Sequence, residues 1–117
     1  MMQESNWIRI APADTLPLQE GRAVKVGDLE LAVFNLGNRI LAVENACPHQ
    51  GGPLCDGIVS GNKVVCPLHS WKFDLDTGLP VAASRPGCVA TFPTRVEDGI
   101  LLVNIAGGHR MLGEEAA

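Results

Sequence analysis

Two pairs of metal-binding side chains lie close together in the middle of this chain. Cys47 and His49 stand two positions apart, and after sixteen further residues Cys66 and His69 stand three apart. Thiolate and imidazole groups are ligands for zinc and iron, whereas magnesium and calcium prefer oxygen ligands. The spacing C-x-H-x16-C-x2-H therefore predicts a metal site, and the fold has to bring the two ligand loops together.

The sequence on either side of these pairs predicts an all-β domain. Short runs rich in Val, Ile and Leu are separated by turn residues, and 13 glycines and 8 prolines interrupt the chain every several positions. Both ligand pairs then fall on loops at strand ends, where a rigid scaffold commonly presents functional groups. Strands are expected at 7–10, 22–26, 29–35, 40–44, 57–59, 63–65, 88–96 with an interruption at Pro93, and 100–105.

Composition and charge narrow the class of protein. A chain of 117 residues with 46% hydrophobic and 19% charged residues is expected to form one folded domain. The formal net charge of −4 gives no electrostatic support for binding nucleic acid or an anionic membrane. No basic start precedes an apolar stretch at the N-terminus, and no apolar run approaches the roughly 18 to 20 residues that span a bilayer. We therefore expect a cytoplasmic protein, in which cysteine near histidine indicates metal binding more than disulfides.

The composition of each ligand pair bears on the kind of metal site. Zinc sites with two cysteines and two histidines usually pair like residues locally, as C-x2-4-C and H-x3-5-H. Here each loop offers one cysteine and one histidine. That arrangement suits a two-iron cluster in which one iron takes both cysteines and the other takes both histidines. A zinc-bound or cluster-free interaction module is the alternative.

The spacing of the four ligands resembles the signature of the Rieske [2Fe-2S] family. The resemblance implies a Rieske-type antiparallel β-sandwich or barrel over residues 1–106, with a cluster-binding insert at about 45–79. Residues 107–117 show no periodicity and are expected to form a flexible tail.

The same resemblance implies a cofactor and a role for each ligand. A [2Fe-2S] cluster would be bound by Cys47 and Cys66 on the inner iron and by His49 and His69 on the outer iron. The sequence has no Gly-rich dinucleotide loop after a strand and no room for a second catalytic domain. We therefore expect an electron-transfer subunit or carrier that is not catalytic on its own.

Departures from the respiratory members of the family bear on the reduction potential. Rieske proteins of the cytochrome bc type carry an additional Cys in each loop, and they place a Ser and a Tyr after the last His. The corresponding positions here are Gly52, Leu68, Trp71 and Phe73. Because the two hydroxyl donors are missing, less of the negative charge on a reduced cluster is compensated. We expect a potential in the lower part of the range known for Rieske centres, from roughly −150 mV up to about zero.

Motifs outside the ligands resemble the small subunit of assimilatory NAD(P)H-dependent nitrite reductase. They are G-G-P-L at 51–54, W-x-F-D-L-x-T-G at 71–78 and T-F-P at 91–93. The resemblance implies a large partner subunit carrying flavin and siroheme, which reduces nitrite to ammonium. The alternative is a Rieske ferredoxin that accepts electrons from a ferredoxin reductase and delivers them to a ring-hydroxylating oxygenase.

Overall fold

The computed structural model describes residues 7–46, 52–67, 71–81 and 88–108. Within these residues the structure has strands and short 3-10 turns and no α-helix, so the expected all-β class is confirmed. The strands are β1 (Trp7–Pro12), β2 (Gly21–Val26), β3 (Leu29–Asn35), β4 (Ile40–Glu44), β5 (Ile58–Ser60), β6 (Lys63–Val65), β7 (Lys72–Asp74), β8 (Thr91–Phe92), β9 (Thr94–Glu97) and β10 (Ile100–Asn104).

The strands form three antiparallel sheets. The first sheet has the order β1-β10-β9, the second β2-β3-β4-β8 and the third β5-β6-β7. The first sheet joins the two ends of the domain, since Trp7 pairs with Asn104. The tight turns after β2 and β5 depend on glycine, because Gly27 and Gly61 both have φ of 63°, in the left-handed region.

Strand β3 explains how the second sheet is covered on both of its faces. Its consecutive residues 31–34 are all at most 1% exposed. Successive side chains of a strand point to opposite faces, so Leu31 and Val33 pack toward the first sheet while Ala32 and Phe34 pack toward the third. The second sheet is therefore the middle layer, and the domain has two hydrophobic cores.

Each core is built from a small set of aliphatic and aromatic side chains. The core between the first two sheets contains Leu16, Leu31, Val33, Ile40, Ala42, Leu101 and Val103. The core under the third sheet contains Ala32, Phe34, Val43, Leu54, Val64, Cys66, Trp71, Phe73, Leu75 and Val89. The second core includes one of the predicted metal ligands, so the packing of the third sheet bears directly on the site.

The third sheet is an insertion between β4 and β8, which are neighbours in the second sheet. The Glu44 N–H donates to the Ala90 carbonyl oxygen at 2.9 Å, and the Ala90 N–H donates to Oε1 of Glu44 at 2.8 Å. The chain therefore leaves the sandwich and returns to it at adjacent positions. This antiparallel architecture with an inserted third sheet confirms the expected fold class.

Two details differ from the strands expected from the sequence. The stretch 88–96 gives two strands in different sheets, β8 and β9, because Pro93 has no N–H with which to continue a ladder. Strand β7, which pairs with β6, was not among the expected strands.

Of the expected tail, Gly107 and Gly108 lie close to Pro93 and Phe92, and 109–117 fall outside the described residues. The described residues contain no helical segment that could span a bilayer.

Candidate metal centre

Cys66 is the one predicted ligand that lies within the described residues. Cys47, His49 and His69 fall outside them, so their placement stays a prediction. Cys66 follows the last residue of β6 and is 1% exposed. Its thiol lies in the core under the third sheet, together with the apolar side chains of Leu54, Val64, Trp71 and Phe73.

The second ligand loop is closed by a backbone hydrogen bond. The Cys66 N–H donates to the Trp71 carbonyl oxygen at 2.6 Å, directly after the last β6–β7 pair, Val65 with Lys72. The predicted ligand His69 therefore stands, in sequence, between two backbone positions that are hydrogen-bonded to each other. Trp71 is 9% exposed and packs against Phe73, with ring centroids 6.4 Å apart.

Close backbone packing brings the end of the first ligand loop next to the second loop. The 3-10 turn Leu54–Asp56 follows the first loop and ends at Gly57, whose N–H donates to the Leu54 carbonyl oxygen at 2.9 Å. A Cβ atom at Gly57 would lie 2.2 Å from the Val65 carbonyl oxygen. Only glycine permits this approach, so the chain that leaves the first loop runs directly beside the residue that precedes Cys66.

The base of the first loop is closed by the side chain of Asn45. Its Oδ1 accepts a hydrogen bond of 2.8 Å from the Cys55 N–H, and its Nδ2 donates to Oε2 of Glu30 at 2.9 Å and to Sγ of Cys55 at 3.3 Å. Among the described residues Asn45 is the one buried polar side chain, at 8% exposure. Sequence reasoning missed it, although its place between a strand and the first ligand pair was a usable signal.

Two further cysteines, Cys55 and Cys88, lie within the described residues. Cys55 and Cys88 form no disulfide with each other. Burial raises the pKa of the Cys55 thiol above its ordinary value, and the neighbouring Asp56 carboxylate acts in the same direction against the hydrogen bond from Asn45. In the structure Cys55 contributes hydrogen bonds to Asn45, through its N–H, which donates to Oδ1, and through its Sγ, which accepts from Nδ2.

The described residues fit a [2Fe-2S] cluster at the one ligand that they include. Cys66 provides a soft sulfur donor in an apolar and nearly dry environment, at the start of a short loop that carries a predicted imidazole ligand. Gly52, on the first loop, is buried without a side chain, which leaves its backbone able to approach a bound group closely. When bound, such a cluster takes up and releases one electron at a time.

Comparisons of sequence show the family to which the chain belongs. The family model for the Rieske [2Fe-2S] domain matches residues 6–93. The ferredoxin component of the naphthalene 1,2-dioxygenase/salicylate 5-hydroxylase systems of Ralstonia sp. is 32% identical over 93 residues, which cover 80% of this chain and 89% of that protein. The anthranilate 1,2-dioxygenase ferredoxin subunit of Burkholderia cepacia is 32% identical over 101 residues, which cover 86% of this chain and 94% of that protein.

Solved structures share the fold over most of the chain. The ferredoxin of carbazole 1,9a-dioxygenase from Nocardioides aromaticivorans IC177 superposes with a TM-score of 0.78 at 29% identity, covering 83% of this chain and 95% of that one. A Mycobacterium tuberculosis chain assigned as an NADH-dependent nitrite reductase small subunit superposes with a TM-score of 0.76 at 27% identity, covering 91% and 96%. From its ligand spacing, its inserted third sheet and these similarities, the chain belongs to the Rieske [2Fe-2S] domain family, whose cofactor is a [2Fe-2S] cluster and whose function is electron transfer.

Proposed function

We propose that Cys47, His49, Cys66 and His69 bind the [2Fe-2S] cluster of this electron carrier. The observation that supports the assignment is the position of Cys66, buried at 1% exposure where the closed loop that contains His69 begins. The two cysteines bind the inner iron and the two histidines the outer iron, as the family resemblance implies. The domain limits of 1–106, with the insert at about 45–79, and a cytoplasmic location belong to the same proposal.

Spectroscopy of the reduced protein tests the ligand set. The wild type is expected to show the rhombic EPR signal of a Rieske cluster, and His49→Ala and His69→Ala are each expected to abolish it. The matched control is His109→Ala, which removes the third histidine of the chain and leaves the signal unchanged. A colourless wild-type protein that contains zinc would refute the assignment of a [2Fe-2S] cluster and support the zinc-bound alternative.

For the physiological role, we propose a Rieske ferredoxin that delivers electrons to a ring-hydroxylating oxygenase. The support is the similarity to ferredoxin components of dioxygenase systems from Ralstonia sp. and Burkholderia cepacia, each 32% identical and aligned over most of its own length. A ferredoxin reductase would be the electron donor, and the contact with each partner would be small and transient. Chemistry on the aromatic substrate would take place on the oxygenase.

The nitrite reductase small subunit expected from the sequence motifs is the second candidate. It is favoured by the similarity to the Mycobacterium tuberculosis chain, which aligns over 91% of this chain. In that role the chain would bind a large subunit with flavin and siroheme, and the electrons would serve the reduction of nitrite to ammonium. We put the ferredoxin role first, because the two relatives of 32% identity are both ferredoxin components of dioxygenase systems.

Purification from the source cells separates the two roles. An affinity-tagged chain expressed at its native level is purified at physiological ionic strength, and the eluate is examined for siroheme absorption and for a large co-eluting subunit. The ferredoxin role predicts an isolated red-brown domain, which a ferredoxin reductase reduces and a terminal oxygenase reoxidises within its turnover time. A stoichiometric complex that contains siroheme would overturn this role and establish the second candidate.

A further inference from the structure

The contacts of Asn45 link both ends of the first ligand loop. Asn45 stands directly after β4, two positions before Cys47, and its Oδ1 accepts the Cys55 N–H at 2.8 Å on the far side of the loop. Its own N–H donates to the Glu30 carbonyl oxygen at 3.0 Å, which fixes the residue to β3. One side chain therefore joins the entry to the loop, the exit from the loop and the strand beneath.

The orientation of the Asn45 amide follows from its neighbours. Oδ1 faces an N–H donor, while Nδ2 faces the carboxylate of Glu30 at 2.9 Å and the sulfur of Cys55 at 3.3 Å. A flipped amide would place its oxygen against the Glu30 carboxylate and its NH2 group against an N–H, so both contacts would be lost. Because Asn45 is 8% exposed, water offers its own amide little replacement for these bonds, whereas Glu30 is an exposed residue whose carboxylate keeps access to water.

We propose that Asn45 is a positioning residue, which acts through Cys55 to hold the first ligand loop in the form that binds iron. The proposal rests on the ligand set given above, because its effect reaches the metal through Cys47 and His49. The Cys55 backbone contributes the essential contact, and its thiol contributes a weaker one. The site thus has two loop closures, a side-chain closure at the first loop and the Cys66–Trp71 backbone bond at the second.

Loss of the closure is expected to weaken iron binding more than it weakens the fold. Asn45→Ala leaves the Cys55 N–H and the Glu30 carboxylate without their partner, and the loop loses its fixed width. Groups that support metal ligands from behind typically change metal affinity by about 10-fold to 100-fold when removed. We expect the purified, cluster-loaded Asn45→Ala protein to release iron to an excess of chelator at least about tenfold faster than wild type, with shifted EPR g-values.

A charge-swapped pair offers a specific rescue. Asn45→Asp alone keeps an acceptor for the Cys55 N–H but sets one carboxylate against that of Glu30, so fast iron release is expected. In the double variant Asn45→Asp/Glu30→Gln, the glutamine amide donates to the new carboxylate, so the contact between 45 and 30 forms with donor and acceptor exchanged. The Cys55 N–H keeps its acceptor, and only the weaker donation to the Cys55 sulfur is lost. We expect this double variant to release iron within about threefold of wild type, since both partners are again satisfied.

Asn35→Ala is the matched control for a purely structural effect. Asn35 makes the same kinds of contact, donating to the Leu16 carbonyl oxygen at 2.9 Å and accepting from the Gly37 N–H at 2.9 Å. It lies at the end of β3 and not in a ligand loop. The control is expected to lower the midpoint of thermal unfolding as Asn45→Ala does, while its iron release and g-values stay those of wild type.

The outcomes separate this inference from the assignment of the cluster. If the wild type holds a Rieske cluster and Asn45→Ala releases iron at the wild-type rate, the positioning role is refuted and the ligand assignment stands. Iron release that rises equally in Asn45→Ala and Asn35→Ala, or that the double variant does not slow, also refutes it. A wild type without any [2Fe-2S] spectrum overturns both proposals together.

Discussion

Arg39 donates two hydrogen bonds to the carboxylate of Asp76, at 2.6 and 2.8 Å. Arg39 precedes β4 of the second sheet, and Asp76 lies in the turn after β7 of the third sheet. Asn62, in the β5–β6 turn, donates to the same carboxylate at 2.7 Å. One carboxylate therefore ties the inserted sheet to the sandwich, at the opposite end of the third sheet from Cys66.

Loss of the Arg39–Asp76 pair is expected to destabilise the domain by a modest amount. Arg39→Ala should lower the free energy of unfolding by about 0.5–1.5 kcal/mol, because the pair is bidentate but its side chains are 46% and 33% exposed. Chemical denaturation measures the change. The control is Arg22→Ala, which removes a surface pair with Glu20 at 3.5 Å and should cost less than about 0.5 kcal/mol. Equal effects of the two variants would contradict a linking role for Arg39.

The same pair predicts how stability depends on pH. Burial of the Asp76 carboxyl acts to raise its pKa, but hydrogen bonds from Asn62 and Arg39 outweigh it, so the pKa lies below its ordinary value. A carboxyl group with a lowered pKa in the folded state stabilises the fold above its unfolded pKa of about 3.9, and this contribution disappears as the pH falls through the folded pKa. Wild type should therefore exceed Asp76→Asn in stability at pH 7, and the difference should shrink below about pH 4. A difference that stays constant from pH 7 to pH 3 would argue against the lowered pKa.

Two glycines with left-handed backbone should respond very differently to the same substitution. Gly78 has φ of 79°, and a Cβ atom there would lie 2.0 Å from the Val89 carbonyl oxygen, whereas Gly61 has φ of 63° and open space around it. Gly61→Ala should cost about 1–2 kcal/mol through backbone strain alone. Gly78→Ala adds a backbone clash at the return of the insert, so we expect a loss above about 3 kcal/mol or an insoluble protein. Similar midpoints of thermal unfolding for the two variants would contradict the packing at Gly78.

Phe73 gives a test of the low reduction potential expected from the sequence. It is fully buried in the same core as Cys66, at the position where cytochrome bc Rieske proteins place a tyrosine. In Phe73→Tyr, a hydroxyl that donates to the reduced site should raise the potential by about 20–60 mV, the one-electron equivalent of a hydrogen bond of 0.5–1.5 kcal/mol. Redox titration followed by EPR measures the shift, and Phe73→Leu is the control without a donor. A wild-type potential near +300 mV would contradict the expected range.

The strand pattern of this domain was largely predictable, for reasons that residues 29–35 illustrate. An apolar stretch between a Gly-Asp turn and a Leu-Gly-Asn turn predicts one strand, and β3 has these bounds. The strand that pairs with it can be predicted from the sequence only where a tight turn joins two consecutive strands, as between β2 and β3. The pairing of β1 with β10 depends on contacts between the chain ends, which no local pattern contains.

The supporting contacts of the site were less predictable than its ligands. Cysteine and histidine at this spacing indicate metal binding by their residue types alone. Asn45 and Asp76 are ordinary polar residues, and their roles depend on partners that are distant in the sequence. The backbone N–H of Cys55 is the group that donates to Asn45, and nothing in the local sequence indicates this contact. Such contacts require the tertiary arrangement of two sheets.

The adjacent exit and return of the chain at Glu44 and Ala90 make the length of the inserted segment independent of the geometry of the sandwich. Since a hydrogen bond of 2.9 Å joins these two positions, residues can be added to or removed from the insert without moving β4 away from β8. The insert does not carry a complete core of its own, because Ala32, Phe34 and Val43 of the second sheet belong to the core that it covers. A graft of this segment onto another β-sandwich would therefore require the same three side chains on the receiving sheet.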